Sequence, residues 1–452
     1  MKQRYEAYSH ELAWKAADAM LEGKWERRDV LDFVEKYSGV PRKEIFEGVL
    51  KNDVHAKMEA VDAIATLGDE MVDCIDSGSP MDYLDEVVIE QRPDGMTGKI
   101  RDIANLSLPH QLLGHIAKLM LEPLFLARIT PWQHASMPGH GQTLLKNQIG
   151  KKLRSNALGI KVFVKTDIHH AYGTLMYKDC IRFIRKEIPS CRLVIKILKY
   201  LERYAPDGHL IIGGYLDAWL FNYMMSYGIR HVMEQGRVRR GVFHPHVIAL
   251  ETYMDDFVIM GKSKTGLKQA VKILARWLKE NLNMELRTTT GYITLCSVDE
   301  ERERKKSVRP ASRCCPNIDM GGYQIHRTYV TIRPRVHKRC KRAFDRAFDE
   351  LCQTGTIQLQ RARNIIARYG PVVHSTSLNF LFKHHVLDVM KVAKAVCRYH
   401  ARAHSRRKKI WLNATVERHK VLLDKVAEEG FSNKENGGKK HVRNYQDKIQ
   451  TA

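Results

Sequence analysis

Two short apolar stretches stand out against a largely helical background. IKVFVKTD (160–167) and HVIALETYMDDFVIMG (246–261) are rich in β-branched residues, which predicts strands. The second is broken at its centre by Tyr253-Met254-Asp255-Asp256, so it predicts the two arms of a hairpin with acids at its tip. Around these strands apolar residues recur at helical spacing in YKDCIRFIRKEI, YLDAWLFNYMMSYGIRHVM and TGLKQAVKILARWLKENL. Residues 1–88 read as a helical N-terminal extension, in which Asp29 is placed as the cap of the helix over DVLDFVEKY. A turn at Arg92-Pro93-Asp94-Gly95 lies near the start of a mixed α/β region, 89–335. From 336 to 430 the pattern is again helical and very basic. Residues 431–452 form a polar, basic, glycine-containing tail that reads as mobile until it meets a partner.

Charge changes the picture. Lys and Arg number 75 against 51 Asp and Glu, a net charge of +24. Such an excess favours a polyanionic partner, because each cation set on a phosphate releases condensed counterions. No apolar run is long enough to span a bilayer, and the N-terminus lacks the apolar core of a signal peptide. The nine cysteines are scattered without a Cys-x-x-Cys pair, which reads as reduced thiols in a cytoplasmic protein and argues against structural zinc.

The candidate chemistry lies in the carboxylates. Asp255 and Asp256 at a rigid turn repel one another unless a hard cation joins them, and oxygen ligands suit Mg²⁺. On its own an Asp-Asp pair is a common solvated turn. Asp167, ending the other strand, can complete a site for two Mg²⁺ ions about 4 Å apart, with Mn²⁺ an alternative. Such a pair activates a primer 3′-hydroxyl and stabilises the leaving pyrophosphate.

At this point the chain resembles the reverse transcriptases. Tyr253-Met254-Asp255-Asp256 is similar to that family's third palm motif, and Asp167-Ile168-His169-His170-Ala171-Tyr172 to its first. The resemblance implies an α+β right-hand polymerase, with fingers and palm in 89–335 and a basic helical thumb from 336. It implies that Asp167, Asp255 and Asp256 hold the metals together with the backbone carbonyl of Ile168. It also implies that Tyr172 is a steric gate under the incoming sugar, selecting dNTPs.

Further blocks follow in order. Lys99-Ile100-Arg101 resembles the fingers hairpin that grips the triphosphate. Gln133, Gly139 and Gly141, in QHASMPGHGQ, resemble a fingers block beside the template. Gly213 and Gly214 resemble the glycine turn at the nascent base pair, although Ile212 and Asp217-Ala218 replace the family's usual residues there. LNMELRTTTGYITL resembles the fourth palm motif, with Lys262 and Lys279 two candidates for the pyrophosphate. Gly321-Gly322-Tyr323 resembles the primer-grip hairpin. Residues 297–316 read as a charged, solvent-exposed insertion, and ARNIIARYGPVVHSTSLNFLFKHH resembles thumb helices of bacterial enzymes.

No nuclease or RNase H segment is recognisable, so the resemblance implies a stand-alone bacterial enzyme of the unclassified and antiphage-defence groups. Those groups commonly copy a cognate structured non-coding RNA into cDNA. A diversity-generating or other retroelement enzyme, an RNA-binding maturase with an idle centre, and an RNA-dependent RNA polymerase are the alternatives. Self-association is left open.

Overall fold

A computed structural model describes residues 5–25, 27–51, 54–93, 100–306, 315–375 and 378–401. The chain divides into two compact units, Met1–Arg333 and Pro334–Ala452.

The first unit begins with α1 (His10–Leu21), α2 (Arg28–Ser38), α3 (Arg42–Lys51) and α4 (Val54–Ser77). Ser9 caps α1 by accepting the Leu12 N–H at 3.2 Å. Asp29 is not a cap. It lies inside the first turn of α2, where its carboxylate pairs with Arg27. The hairpin β1 (Val88–Pro93) and β2 (Ile100–Asn105) follows, so Arg92-Pro93 belongs to a strand; the rest of the expected turn, and Lys99, lie outside the described residues.

Next come α5 (Leu108–Arg128), α6 (Gln142–Arg154), β3 (Val162–Ile168), α7 (Tyr177–Glu187), α8 (Arg192–Tyr204) and α9 (Tyr215–Met233). α9 is apolar nearly all round because it is buried nearly all round, and Phe125 of α5 stacks on its Trp219. The N-terminal helices share this core: Leu12, Val30 and Ile64 belong to the same cluster as Leu220 and Ile259.

A second hairpin, β4 (Gly236–Arg239) and β5 (Val242–Pro245), leads to β6 (Ala249–Tyr253) and β7 (Asp256–Gly261). Then α10 (Lys264–Leu282), β8 (Leu286–Thr288) and β9 (Ile293–Thr294) close the central sheet, ordered β6-β7-β3-β8 with β9 also on β3. Period-2 alternation decides what each face of β3 does. Val162, Val164 and Ile168 point into the large helical core. Phe163 joins a smaller core with Val258 and Met260 of β7 and Leu145 of α6. Lys165 and Asp167 fall on that second face, beyond the end of its apolar filling.

The segment 297–316 is not uniformly exposed. It contains α11 (Val298–Lys306), whose Glu301 is 1% exposed and accepts the backbone N–H groups of Arg327 and Thr328 at 2.9 and 2.7 Å. Residues 307–314 lie outside the described residues. A three-stranded sheet, β10 (Ile318–Met320), β11 (Tyr323–Ile325) and β12 (Val330–Ile332), ends the unit.

The second unit holds α12 (Pro334–Thr354), α13 (Leu359–Val373), α14 (Leu378–Lys383) and α15 (Val386–Ala401). Val336, Cys340, Phe344, Ala347 and Leu351 form the buried stripe of α12. Arg339, Arg342 and Arg346 recur at helical spacing on another face. They line a groove with Arg361 and Arg368 of α13. The basic tail 431–452 and residues 402–410 lie outside the described residues.

Candidate active site

The acidic turn is a two-residue loop. Tyr253 and Asp256 are register partners across β6 and β7, leaving Met254 and Asp255 at the tip. Met254 has φ 54°, a left-handed value usually left to glycine, so its side chain must be held. It is tucked inward, with its Sδ 4.0 Å from both the Tyr172 hydroxyl and Ser136 Oγ. β3 docks this tip from the side: Asp167 stands opposite Asp256, and the Ile168 N–H donates to the Asp255 carbonyl at 3.1 Å.

Three carboxylates therefore meet at one sheet end. Burial, then Asp256 and then Asp167, push the Asp255 carboxyl up to about 6. One cation partly answers this charge: Lys165 Nζ lies 3.0 Å from Asp256 Oδ1. Among the described residues no group of three acidic, histidine or cysteine side chains is placed to hold a metal ion as it stands. The donor set nonetheless fits hard divalent cations. It is all oxygen, shared between two strands, and carries more negative charge than Lys165 alone offsets. Lys165 was not singled out from the sequence, although two-residue alternation in Lys165-Thr166-Asp167 already places it on the aspartate's face.

Tyr172 reaches the same edge. Its ring stacks on Phe221 with centroids 5.1 Å apart and planes 11° apart. Burial raises its phenol pKa, followed by Asp217 and Asp255. Gly213 also behaves as glycine should, but for a different partner than expected. At its φ of 115° a Cβ would come 2.7 Å from the Ala104 carbonyl, so the close approach is to strand β2, locked by Ala104 N–H donating to the Ile212 carbonyl at 2.7 Å.

Asp217, where this turn departs from the family it resembles, is a buried anchor. Its carboxylate, 3% exposed, accepts the Ile211 N–H at 3.0 Å and the Tyr177 hydroxyl at 3.1 Å, tying the glycine turn to α9. It leaves Gly214 no room for a Cβ. Burial pushes the Asp217 carboxyl up to about 6 from its ordinary 3.8. A raised carboxyl binds its proton more tightly in the native than in the unfolded chain, so stability falls as pH rises from about 4 to 6. Asp217→Asn keeps an oxygen acceptor without that charge. It is expected to be more stable than wild type above pH 6, by about 2–3 kcal/mol at most, with the difference fading toward pH 4. Paired urea melts at pH 4 and 7 measure it, and a destabilisation that is equal at both would show that charge is not what matters there.

Other expected contacts sit differently. Gln133 is fully buried: its carbonyl accepts from Thr130, and its amide donates to the Asn222 carbonyl at 2.7 Å. It pins the fingers loop instead of touching template. Beside it His134 and Lys152 both pair with the buried Glu251. Gly139, at φ 72°, is exposed, and a Cβ on it or on Gly141 would meet nothing within 4 Å. Tyr323 is 2% exposed under Lys146, so it is core and not a primer contact. Gly321 and Gly322 form the β10–β11 turn at φ 59° and 84°, the first against Leu145 and Gln142. Arg101 is exposed on β2. Lys262 stands past the far end of β7, about 20 Å from the acidic turn, so it is no pyrophosphate ligand. Lys279 bonds Asn283 at the end of α10.

A palm sheet with acids on adjacent strand ends, flanked by a fingers hairpin, defines a template-directed polymerase fold. Residues 90–289 match the family model described as "Reverse transcriptase (RNA-dependent DNA polymerase)". The chain thus carries a reverse transcriptase domain and is an RNA-directed DNA polymerase, a nucleotidyltransferase of right-hand α+β fold. Domains of this family use divalent metal ions.

Three solved structures are similar at low identity. Telomerase from Candida albicans in complex with a fragment of telomeric RNA is 11% identical, with 82% of this chain and 75% of that one covered and a TM-score of 0.36. Apo telomerase from Candida tropicalis is 9% identical, with 88% and 80% covered and a TM-score of 0.42. The Sicinivirus 3Dpol RNA-dependent RNA polymerase is 11% identical, with 66% of each chain covered and a TM-score of 0.33. No curated protein matches by sequence. Among the described residues no helix is long and apolar enough to cross a membrane.

Proposed function

We propose that the chain copies an RNA template into cDNA by two-metal nucleotidyl transfer, with Asp167, Asp255, Asp256 and the Ile168 carbonyl as the metal ligands. The observation that carries this reading is the meeting of three carboxylates at one sheet end, where the Asp255 carboxyl is driven up by burial and then by the charges of Asp256 and Asp167. Mg²⁺ ions bound there supply Lewis-acid stabilisation of phosphoryl oxygens and make a 3′-hydroxyl a better nucleophile. The chain's own residues do the rest. Met254 fixes the turn, Lys165 holds Asp256 in place, and Tyr172 with Phe221 forms a wall beside the carboxylates. Arg101 and Lys99 serve the triphosphate, and Gly139 and Gly141 leave backbone open to the template.

The biological reading is a bacterial enzyme, cytoplasmic, acting in antiphage defence on a cognate non-coding RNA. Its support is the sequence resemblance of the helical N-terminal extension and the thumb. Primer extension on poly(rA)–oligo(dT) with Mg²⁺ tests the chemistry: dTTP incorporation is expected, and its absence, or equal incorporation by an Asp255→Ala/Asp256→Ala variant, overturns it. Plaque counts on cells expressing wild type and that variant test the role. Equal phage sensitivity with and without the gene removes the defence reading alone.

The arginine groove of the second unit supports a phosphate-tracking thumb. Replacing Arg339, Arg342 and Arg346 by Gln is expected to lower the slope of log binding constant against log salt by about 2 for single-stranded RNA. Filter binding from 50 to 200 mM salt checks this, and an unchanged slope refutes it.

A further inference from the structure

The hairpin β4–β5 has no place in the active site. It joins α9 to β6, and β6 runs from it toward the acidic turn, so a full strand, about 17 Å, separates the two. Its ten residues, GRVRRGVFHP, hold three arginines and a histidine and no acid. All except the half-buried Gly236 are exposed. Among the described residues Arg237, Arg239 and Arg240 pair with no carboxylate. A two-stranded ribbon this exposed has little core to justify it.

Its geometry is nevertheless specific. Arg240 (φ 50°) and Gly241 (φ 74°) form a two-residue turn with both residues left-handed. Arginine is an unfavourable choice there, where asparagine or glycine is usual, yet it sets a cation at the tip. Register pairing puts Arg237, Arg239 and His244 on one face, and Val238 with Phe243 on the other. The Phe243 ring packs closely against Gly236: a Cβ at that glycine would be 2.5 Å from the ring's Cζ. One side of the ring is thereby supported while the residue stays 53% exposed, and Val238 beside it is 71% exposed. A ring open to solvent on one face of the ribbon, with unpaired arginines at the tip and on the other face, offers a base a stacking partner and the neighbouring phosphates cations.

We propose that this hairpin is a second RNA-binding element, gripping a single-stranded segment of RNA remote from the polymerase centre. This rests on the reading of the chain as an RNA-copying enzyme. Charge complementarity selects the occupant: an acid-free, cationic ribbon with an open ring fits a nucleic-acid strand better than a protein surface.

The test uses the full chain, a labelled unstructured RNA of about 60 nucleotides, and a primer–template of about 12. For Arg237→Gln/Arg239→Gln/Arg240→Gln, the long RNA should bind with a salt slope shallower by about 2, so that wild type loses about 20-fold more affinity than the variant between 50 and 200 mM salt. Phe243→Ala should weaken binding about fivefold or more with the slope unchanged. Extension of the short primer–template at saturation should match wild type in both. Wild-type slope and affinity in both variants overturn the proposal. So does loss of binding to phosphatidylserine vesicles, or to a protein, with long-RNA binding intact. If even wild type incorporates no nucleotide while the variants still lose RNA, the polymerase reading fails and the hairpin assignment stands.

Discussion

Asp255→Asn is expected to lower Mg²⁺-dependent nucleotide incorporation by roughly a thousandfold or more while leaving the protein folded. The substitution changes one charge and almost no volume, at a carboxyl already pushed up to about 6 by burial and by Asp256 and Asp167. That shift carries a second consequence, separable from activity. Because the folded pKa lies above the ordinary 3.8, ionised Asp255 costs native stability without metal. The cost is absent below about pH 4, grows as pH rises toward 6, and is complete above it. At pH 7.5 and without divalent ions the asparagine variant should therefore melt above wild type. Adding Mg²⁺ should raise the wild-type midpoint and move the variant's little, since a ligand stabilises only the state that binds it. Thermal melts with and without MgCl₂, beside single-nucleotide extension, read both effects. A variant that melts lower in both conditions, or that extends primer normally, contradicts the assignment of Asp255.

The placement of the elements around this sheet end is largely legible in the sequence, for an identifiable reason. Strand and helix periods are local, so β3, β6, β7, α7, α9 and α10 fall where the apolar spacing places them. Two acids between apolar arms can only sit at a turn, and Asp167 ends a strand by the same local rule. What could not be read depends on partners distant in the chain. Gln133 becomes a buried pin only because Asn222 meets it, and Gly213 is required by the carbonyl of Ala104, over a hundred residues earlier. Glu301 sits in a run that averages as solvated, yet one carboxylate there satisfies two backbone amides. Lys165 is the instructive omission. Its strand and its face follow from local alternation, but lysine is most often a surface residue, and its role as counter-ion to Asp256 depends on the pairing of β3 with β7.

Tyr172→Ala is expected to relax sugar selection about a hundredfold, measured as the ratio of kcat/KM for a dNTP over the matching NTP. The argument is steric. The ring is restrained on two sides: Phe221 is stacked along one face, and the hydroxyl lies 4.0 Å from Met254 Sδ in the left-handed turn that carries Asp255. A fixed ring five residues beyond Asp167 presents a wall to any group added to the sugar of a nucleotide placed at the carboxylates. Removing it opens a space without touching the carboxylates proposed to hold metal, so incorporation of dNTPs should fall modestly while that of NTPs rises. Tyr172→Phe keeps the wall and should keep the selection, losing only a long contact to sulfur. The competing view makes Tyr172 an ordinary member of the palm core, and it predicts another pattern: both nucleotides slow in equal proportion, stability drops, and the ratio stays where it was. Single-turnover incorporation of dGTP and GTP by wild type and the two variants separates these outcomes, and an unchanged ratio in Tyr172→Ala removes the gate from the mechanism.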